Sequence, residues 1–310
     1  MTRGEPLVEL ESVRYRYRSA RTWALLGLSQ SVQRGIVMGL VGPNGSGKTT
    51  LFRLMLGFIR PTDGRVLIAG AKPAVYRARH GIGYLPEAVN LPEQVRVREL
   101  ANYAARLSGL LGSAAVAAIA RLMDELEVAE TASADIATLS HGYRQRIALL
   151  ITLLGDPDLL LLDEPANGLD PDSIGVLRSQ LRSLRRRGTT VIVSSHNLLE
   201  LQRVCDEVLI LNEGAVLGRS SRQELLKRSD VWVLQLRPDL DDDDASRIRQ
   251  RLLQCGGVRL AADEFAFDRE ARARRCAADA SAVELIERRP FDLEFLFHAL
   301  LQQKNRHRSP

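Results

Sequence analysis

The sequence predicts an α/β fold: a parallel core sheet with an antiparallel β subdomain and a helical insertion, followed by a small α+β domain. Three observations predict it. The apolar run Ile36, Val37, Met38, Leu40 and Val41 reads as a buried strand that leads into a glycine-rich loop and then a helix from Lys48 to Leu56. A second apolar run, Leu159 to Leu162, precedes a helix with the stripe Ile174, Leu177, Leu181 and Leu184, then a strand from Thr189 to Ser194. Strand, helix, strand in this order implies a parallel sheet covered by helices. Strand patterns at Val8 to Tyr17 and Leu28 to Val32 precede the loop, and Asn212-Glu213-Gly214 turns Val208 to Leu211 into Ala215 to Leu217 as a hairpin.

The remaining elements follow in order. After the loop helix, Pro61-Thr62-Asp63-Gly64 is a turn signal before the short strand Val66, Leu67, Ile68. From about Glu99 to Leu126 the pattern is helical and alanine-rich, with Leu107, Leu110 and Leu111, then Ile119, Leu122 and Met123, recurring at helical intervals. We place this helical subdomain at about 88–155, inside a first domain covering 1–228. The second domain, 229–310, opens with the strand Val231 to Leu236. The acidic run Asp241 to Asp244 then starts a helix, where negative charge meets the positive end of the helix dipole. Phe265 and Phe267 alternate as on a strand. Phe291, Phe295, Leu296 and Leu300 mark a final amphipathic helix, read as core, before a basic tail from Lys304 to Arg308.

The composition, 45% hydrophobic and 26% charged over 310 residues, fits a globular protein large enough for two domains. No run reaches the roughly 18 apolar residues of a membrane helix, since Gly155, Asp156, Pro157 and Asp158 break the richest stretch. Met1 to Pro6 lacks the apolar core of a signal peptide. Cys205, Cys255 and Cys276 are widely spaced, fit reduced thiols and give no zinc pattern. With 43 basic and 38 acidic residues the excess is small, and no aromatic-interleaved basic stripe accompanies it, so no nucleic-acid partner is expected. His80, His141, His298 and His307 have no partners spaced as metal ligands and read as surface or packing residues.

Chemistry concentrates in the loop. Gly42-Pro43-Asn44-Gly45-Ser46-Gly47-Lys48-Thr49, followed by Thr50, fits G-x-x-x-x-G-K-[ST], placed between a strand and a helix as a phosphate cradle requires. The glycines let the backbone close around an anion, Lys48 reaches the β- and γ-phosphates, and the Thr49 hydroxyl takes a position on Mg²⁺. The run Leu159 to Leu162 delivers Asp163 and Glu164 at a strand end, where Asp163 can hold Mg²⁺ through water and Glu164 can polarise an attacking water. Ser140, just ahead of another helix, forms a second small anion cradle with the amides that follow.

With these segments in order, about Leu7 to Leu217 resembles the nucleotide-binding subunit of an ABC transporter, an ATPase of the P-loop NTPase class. By that resemblance Gly42 to Thr49 is Walker A, Leu159 to Glu164 is Walker B, Leu139 to Tyr143 is the signature, and Asn167 to Asp170 is the D-loop. His196 is the switch histidine that contacts the γ-phosphate, and Tyr17 stacks on adenine, with Tyr15 as the alternative on the same strand face. The resemblance implies ATP and Mg²⁺, and two domains packed head to tail, so that Ser140 and Gly142 of one meet the ATP held by Lys48 of the other. It also implies a separate polytopic permease and a cytoplasmic ATPase, peripheral on the inner face of the membrane.

Two segments depart from the pattern. The signature, commonly LSGGQ, reads LSHGY, with His141 and Tyr143 substituted and Ser140 and Gly142 kept. The segment Tyr84-Leu85-Pro86-Glu87 puts Glu87 where a metal-sensing glutamine is usual. Both variants resemble those of exporter subunits that serve ABC-2-type permeases. The alternative is a soluble ABC-type ATPase acting on ribosomes or nucleic acid. Those resemble tandem domains or carry a long coiled coil, and this chain has neither. A GTPase would need an N-K-x-D guanine motif, which does not occur.

Overall fold

The backbone at the start of the chain alternates until a bulge resets it. In β1 (Val8–Tyr15), Val8, Leu10 and Val13 are all buried because Ser12, at φ 47°, adds a residue between Leu10 and Val13 and shifts the register against the next strand. That strand, β2 (Leu25–Val32), starts earlier than the Leu28 expected. The expected strand through Tyr17 is corrected to end at Tyr15, because Ala24 N–H donates to the Tyr15 carbonyl and Ala20 N–H to that of Tyr17, which turns the chain. The computed structural model describes residues 5–196, 203–226, 230–267, 270–276, 282–289, 291 and 293–306. The expected boundary near Arg228 and the tail residues His307 and Arg308 lie outside the described residues.

Next come β3 (Val37–Val41), buried throughout, α1 (Lys48–Met55) and β4 (Asp63–Ile68), which pairs antiparallel with β1. Two elements absent from the sequence expectations follow, α2 (Pro73–His80), with proline in its first turn, and the short strand β5 (Gly83–Leu85). The helical stretch expected as one run is two helices, α3 (Val97–Leu107) and α4 (Gly112–Glu125), because the chain leaves the helix at Ser108 and Gly109 takes a φ of 79°. Then α5 (His141–Leu153), β6 (Leu159–Leu162), α6 (Pro171–Arg186) and β7 (Thr190–Ser195) give the expected strand, helix, strand order. β8 (Glu207–Asn212) and β9 (Ala215–Ser221) are joined by Glu213 and Gly214, with φ of 49° and 75°, the positive values that a tight two-residue hairpin turn needs.

These strands form a sheet in the order β5-β6-β7-β3-β8-β9, with parallel pairing from β5 through β8, and a separate antiparallel sheet in the order β2-β1-β4. Phe52, Leu54 and Met55 of α1 pack in one cluster with Val8 and Leu10 of β1, Leu40 of β3 and Leu161 of β6. The C-terminal ends of β3, β6 and β7 adjoin one another, so the glycine-rich loop, the Asp163-Glu164 pair and His196 emerge side by side.

The backbone divides into two compact units, parting between Val216 and Leu217 within β9, with Val204–Val216 belonging to the first. The second unit holds α7 (Arg222–Leu226), β10 (Val231–Leu236), α8 (Asp242–Gln254), β11 (Val258–Arg259), β12 (Glu264–Phe267), α9 (Glu270–Cys276), β13 (Val283–Arg289) and α10 (Leu293–Arg306). Its antiparallel sheet runs β11-β12-β10-β13. Trp232, Leu234 and Leu236 pack with Leu252 of α8 and Ala273 of α9, while Val231 and Val233 pack with Phe291 and Phe295. Phe291 and Phe295 therefore pack as core, as expected, but Phe291 precedes α10 instead of lying on it. Asp241 caps α8 by accepting from Asp244 N–H. All three cysteines are free thiols, and burial pushes that of Cys276 up to about 11. Among the described residues no helix is long and apolar enough to cross a membrane.

Candidate nucleotide site

The glycine-rich loop closes on itself. Lys48 Nζ donates to the carbonyl of Gly42 at 2.7 Å and to that of Pro43 at 3.4 Å, and lies 3.3 Å from Glu164 Oε1. No side chain caps α1, whose N-cap is Gly47, so the first-turn N–H groups are available to an anion. A Cβ on Gly42 would sit 2.3 Å from the Leu211 carbonyl oxygen and 2.6 Å from Ser46 Oγ, so only glycine lets the loop approach β8 this closely. Gly42→Ala is expected to destabilise the protein by about 1–3 kcal/mol through overpacking and to weaken ATP binding with it. Thermal unfolding with and without ATP checks this; an unchanged transition would mean that the loop has room to spare.

Carboxylates close the other side. Thr49 Oγ1 donates to Asp163 Oδ2 at 2.9 Å, tying the head of α1 to the end of β6. Glu164 Oε2 accepts from His196 N–H at 3.2 Å and lies 2.9 Å from His196 Nδ1. Glu164 Oε1 is buried and has no hydrogen-bond partner among the described residues, since the 3.3 Å approach of Lys48 lacks hydrogen-bond geometry. Ser46 Oγ, in the glycine-rich loop, is a second buried polar atom without a partner among the described residues. Two buried orphans beside uncapped helix N–H groups fit a site made to receive a polyanion and a water. A cavity of about 380 Å³ joins these groups, with Asn44 to Thr50, Tyr17, Glu87, Asp163 and Glu164 in its wall.

Tyr17 also enters from outside its expected place. Its hydroxyl lies 3.2 Å from Thr50 Oγ1 and accepts from Arg53 Nη1 at 3.3 Å, and its ring meets that of Tyr15 edge to face at 4.9 Å. Of the two tyrosines, only Tyr17 lines the cavity of the glycine-rich loop; both line an arginine-rich neighbouring cavity of about 830 Å³.

The signature residues and the D-loop lie elsewhere. Ser140 caps α5, accepting from Tyr143 N–H, and Asp170 caps α6, accepting from Ser173 N–H at 2.8 Å, which holds the Asp170 carboxyl below its ordinary range. Gly142 packs where a Cβ would meet Ser173 Oγ at 2.6 Å. Ser140, Gly142 and Asp170 do not line the cavity that carries Lys48. Both departures from the common signature make contacts. His141 Nε2 lies 3.2 Å from the Asn167 carbonyl; a carbonyl only accepts, so this nitrogen carries the proton. Tyr143 donates to Glu130 Oε1 at 2.8 Å, which raises the phenol's pKa; the bond also helps, after Glu130's own backbone N–H, to lower that of the carboxyl.

Two features escaped the sequence reading. Glu164 sits at φ 49°, a conformation that costs a residue with a side chain about 1–3 kcal/mol. Ser194, fully buried, donates to Asp163 Oδ1 at 2.6 Å and accepts from Glu164 N–H at 2.9 Å. Its only sequence signal was its place at the end of the strand before His196.

Residues 25–167 match the family described as ABC transporter. The Nod factor export ATP-binding protein I of Burkholderia orbicola (strain AU 1054) is 37% identical over 204 residues, covering 65% of this chain and 67% of that protein. A solved ATP-binding subunit of an ABC transporter aligns with a TM-score of 0.63 at 28% identity, over 71% of this chain and 91% of its own. A dimeric ATP-binding cassette in a post-hydrolysis state, bound to ADP and Pi, aligns with a TM-score of 0.63 at 22% identity, over 69% of this chain and 98% of its own, a likeness of fold. A glycine-rich loop backed by paired carboxylates, in a chain with these likenesses, leads to one conclusion: the chain belongs to the ABC transporter family as an ATP-binding subunit, and it binds nucleotide and hydrolyses ATP.

Proposed function

We propose that the chain works as one of a pair of ATP-binding subunits, a homodimer or a matched pair, that closes head to tail on two ATP and powers export through a separate polytopic permease of the ABC-2 type. One observation carries the pairing. Ser140 and Gly142 stand outside the cavity that carries Lys48 and Thr49, so a single chain offers its phosphate cradle without its signature. The dimeric state of the aligned cassette supports the same reading, and the name of the Burkholderia relative supports export.

In this reading Gly42 to Thr50 bind the phosphates, Lys48 supplies positive charge, and Tyr17 stacks on adenine. Thr49, Asp163 and Glu87 hold Mg²⁺, whose donor set of one hydroxyl and two carboxylates is the hard oxygen chemistry that cation takes. When bound, Mg²⁺ neutralises charge on the phosphates. Glu164 accepts the proton of the attacking water through its orphaned Oε1, and His196 holds the other carboxylate oxygen and faces the γ-phosphate. Ser140, Gly142 and Asp170 address the ATP of the opposite subunit. Residues 1–228 form the ATPase domain, with a helical subdomain at about 88–155, and 229–310 an accessory domain that strengthens the pair. The assembly lies on the cytoplasmic face of the membrane through its permease.

The test is light scattering of the Glu164→Gln protein. ATP with Mg²⁺ is expected to double its mass; a mass unchanged by ATP would remove the pairing. Deleting the chain from Val231 onward is expected to weaken the pair and spare ATP binding, and unchanged association by sedimentation would count against the accessory role. A polytopic chain that co-purifies from the membrane fraction identifies the permease.

A further inference from the structure

We propose that Ser194 is a positioning residue for hydrolysis, one hydroxyl that sets both the metal-side carboxylate and the water-side carboxylate. The proposal rests on the roles assigned above to Asp163 and Glu164.

Ser194 lies on β7 and is 0% exposed, so its hydroxyl has no water to fall back on. Its bonding is fully determined. The Glu164 N–H at 2.9 Å can only donate, so the hydroxyl accepts there and gives its single proton to Asp163 Oδ1 at 2.6 Å. The other oxygen of Asp163 accepts from Thr49 at 2.9 Å. The carboxylate is thereby held at both ends, by β7 on one side and by α1 on the other, and its plane is fixed before any cation arrives.

The second bond acts on backbone. Glu164 sits at φ 49°, which residues with a side chain rarely adopt, and this turn of the chain aims its carboxylate at His196 and Lys48. By accepting the Glu164 N–H, Ser194 holds the peptide in that state. Removing the hydroxyl leaves a buried N–H and a buried carboxylate oxygen each short of a partner. β7 therefore aligns its neighbour β6 twice, through Ser194 behind the carboxylates and through His196 in front of them.

Ser194→Ala is expected to weaken cation binding and to lower kcat, each by about 10–100-fold, as loss of an outer partner of a metal ligand does. Nucleotide binding in EDTA should stay at the wild-type level, because Lys48 and its loop are untouched. The experiment measures Mn²⁺ binding by EPR in the presence of ATP, kcat and KM for ATP, and metal-free binding of a fluorescent ATP analogue. It uses Ser194→Ala, Ser194→Cys, Ser194→Thr and, as a reference, Asp163→Asn.

Loss of Mn²⁺ affinity and kcat in Ser194→Ala, partial loss in Ser194→Cys with its weak donor, and recovery in Ser194→Thr would support the proposal. If Asp163→Asn loses Mn²⁺ affinity while Ser194→Ala stays within about twofold of wild type in both quantities, the proposal fails and the metal site stands. If Asp163→Asn binds Mn²⁺ as the wild type does, the metal role of Asp163 fails and the proposal with it. Equal loss of metal-free nucleotide binding in all three Ser194 variants would show a packing role only and overturn it.

Discussion

Glu164→Gln is expected to lower ATP turnover by about 10²–10⁴-fold and to leave ATP binding close to wild type. The amide is nearly the same size and keeps an oxygen that can accept from His196 N–H, so the local geometry at 3.2 Å survives. It cannot take a proton from water. In the native protein Oε1 is buried, has no hydrogen-bond partner among the described residues and stands 3.3 Å from the Lys48 ammonium, which on the base role proposed for Glu164 leaves it open to a water proton. Phosphate release at saturating ATP, measured beside equilibrium binding, separates the two effects. Turnover at the wild-type rate would take the base role away from Glu164.

Phe52→Ala is expected to destabilise the first unit by about 3–5 kcal/mol, the range for emptying a fully buried aromatic site. Phe52 is 0% exposed on α1, four residues after Lys48, and its ring meets the edge of Tyr84 at 6.5 Å. Tyr84 belongs to β5, which leads to Glu87. Burial first, and with it the charges of Asp163 and Glu87, hold the Tyr84 phenol above its ordinary range. Removing Phe52 thus loosens the helix that follows the glycine-rich loop against the strand that leads to Glu87. Urea unfolding gives the magnitude; a loss below about 1 kcal/mol would mean that neighbouring leucines refill the space.

Motifs that must wrap a phosphate are legible in sequence because their chemistry leaves few residue choices. Gly42 is glycine because a carbonyl oxygen would stand 2.3 Å from any Cβ there, and the roles proposed for Lys48 and Thr49 call for a charge and a hydroxyl. The apolar strands β3 and β6 were legible for a similar reason, being buried on both faces. What escaped was set by tertiary contact. α2 buries only Pro73 and Tyr76, too few for a stripe, and β5 is three residues long. The limit of β1 depended on which amides claimed the carbonyls of Tyr15 and Tyr17, which no local pattern encodes. Ser194 reads as an ordinary strand serine until β6 is laid beside β7. The φ of Glu164 could not be foreseen, since nothing in its residue type favours it.

The bond from Tyr17 to Thr50 has a consequence for which nucleotides the site admits. Thr50 follows Thr49 on α1, and Tyr17 is anchored to that helix by Thr50 at 3.2 Å and by Arg53 at 3.3 Å. On the stacking role proposed for Tyr17, the platform for the base and the cradle for the phosphates ride on one rigid rod. Their spacing is then a fixed gauge of ligand length, and the two ends of a nucleotide bind as tethered halves whose mutual gain depends on matching that span. Base and triphosphate added as separate molecules would forgo the gain, and a diphosphate would engage the gauge while leaving its far mark, beside Glu164, unread.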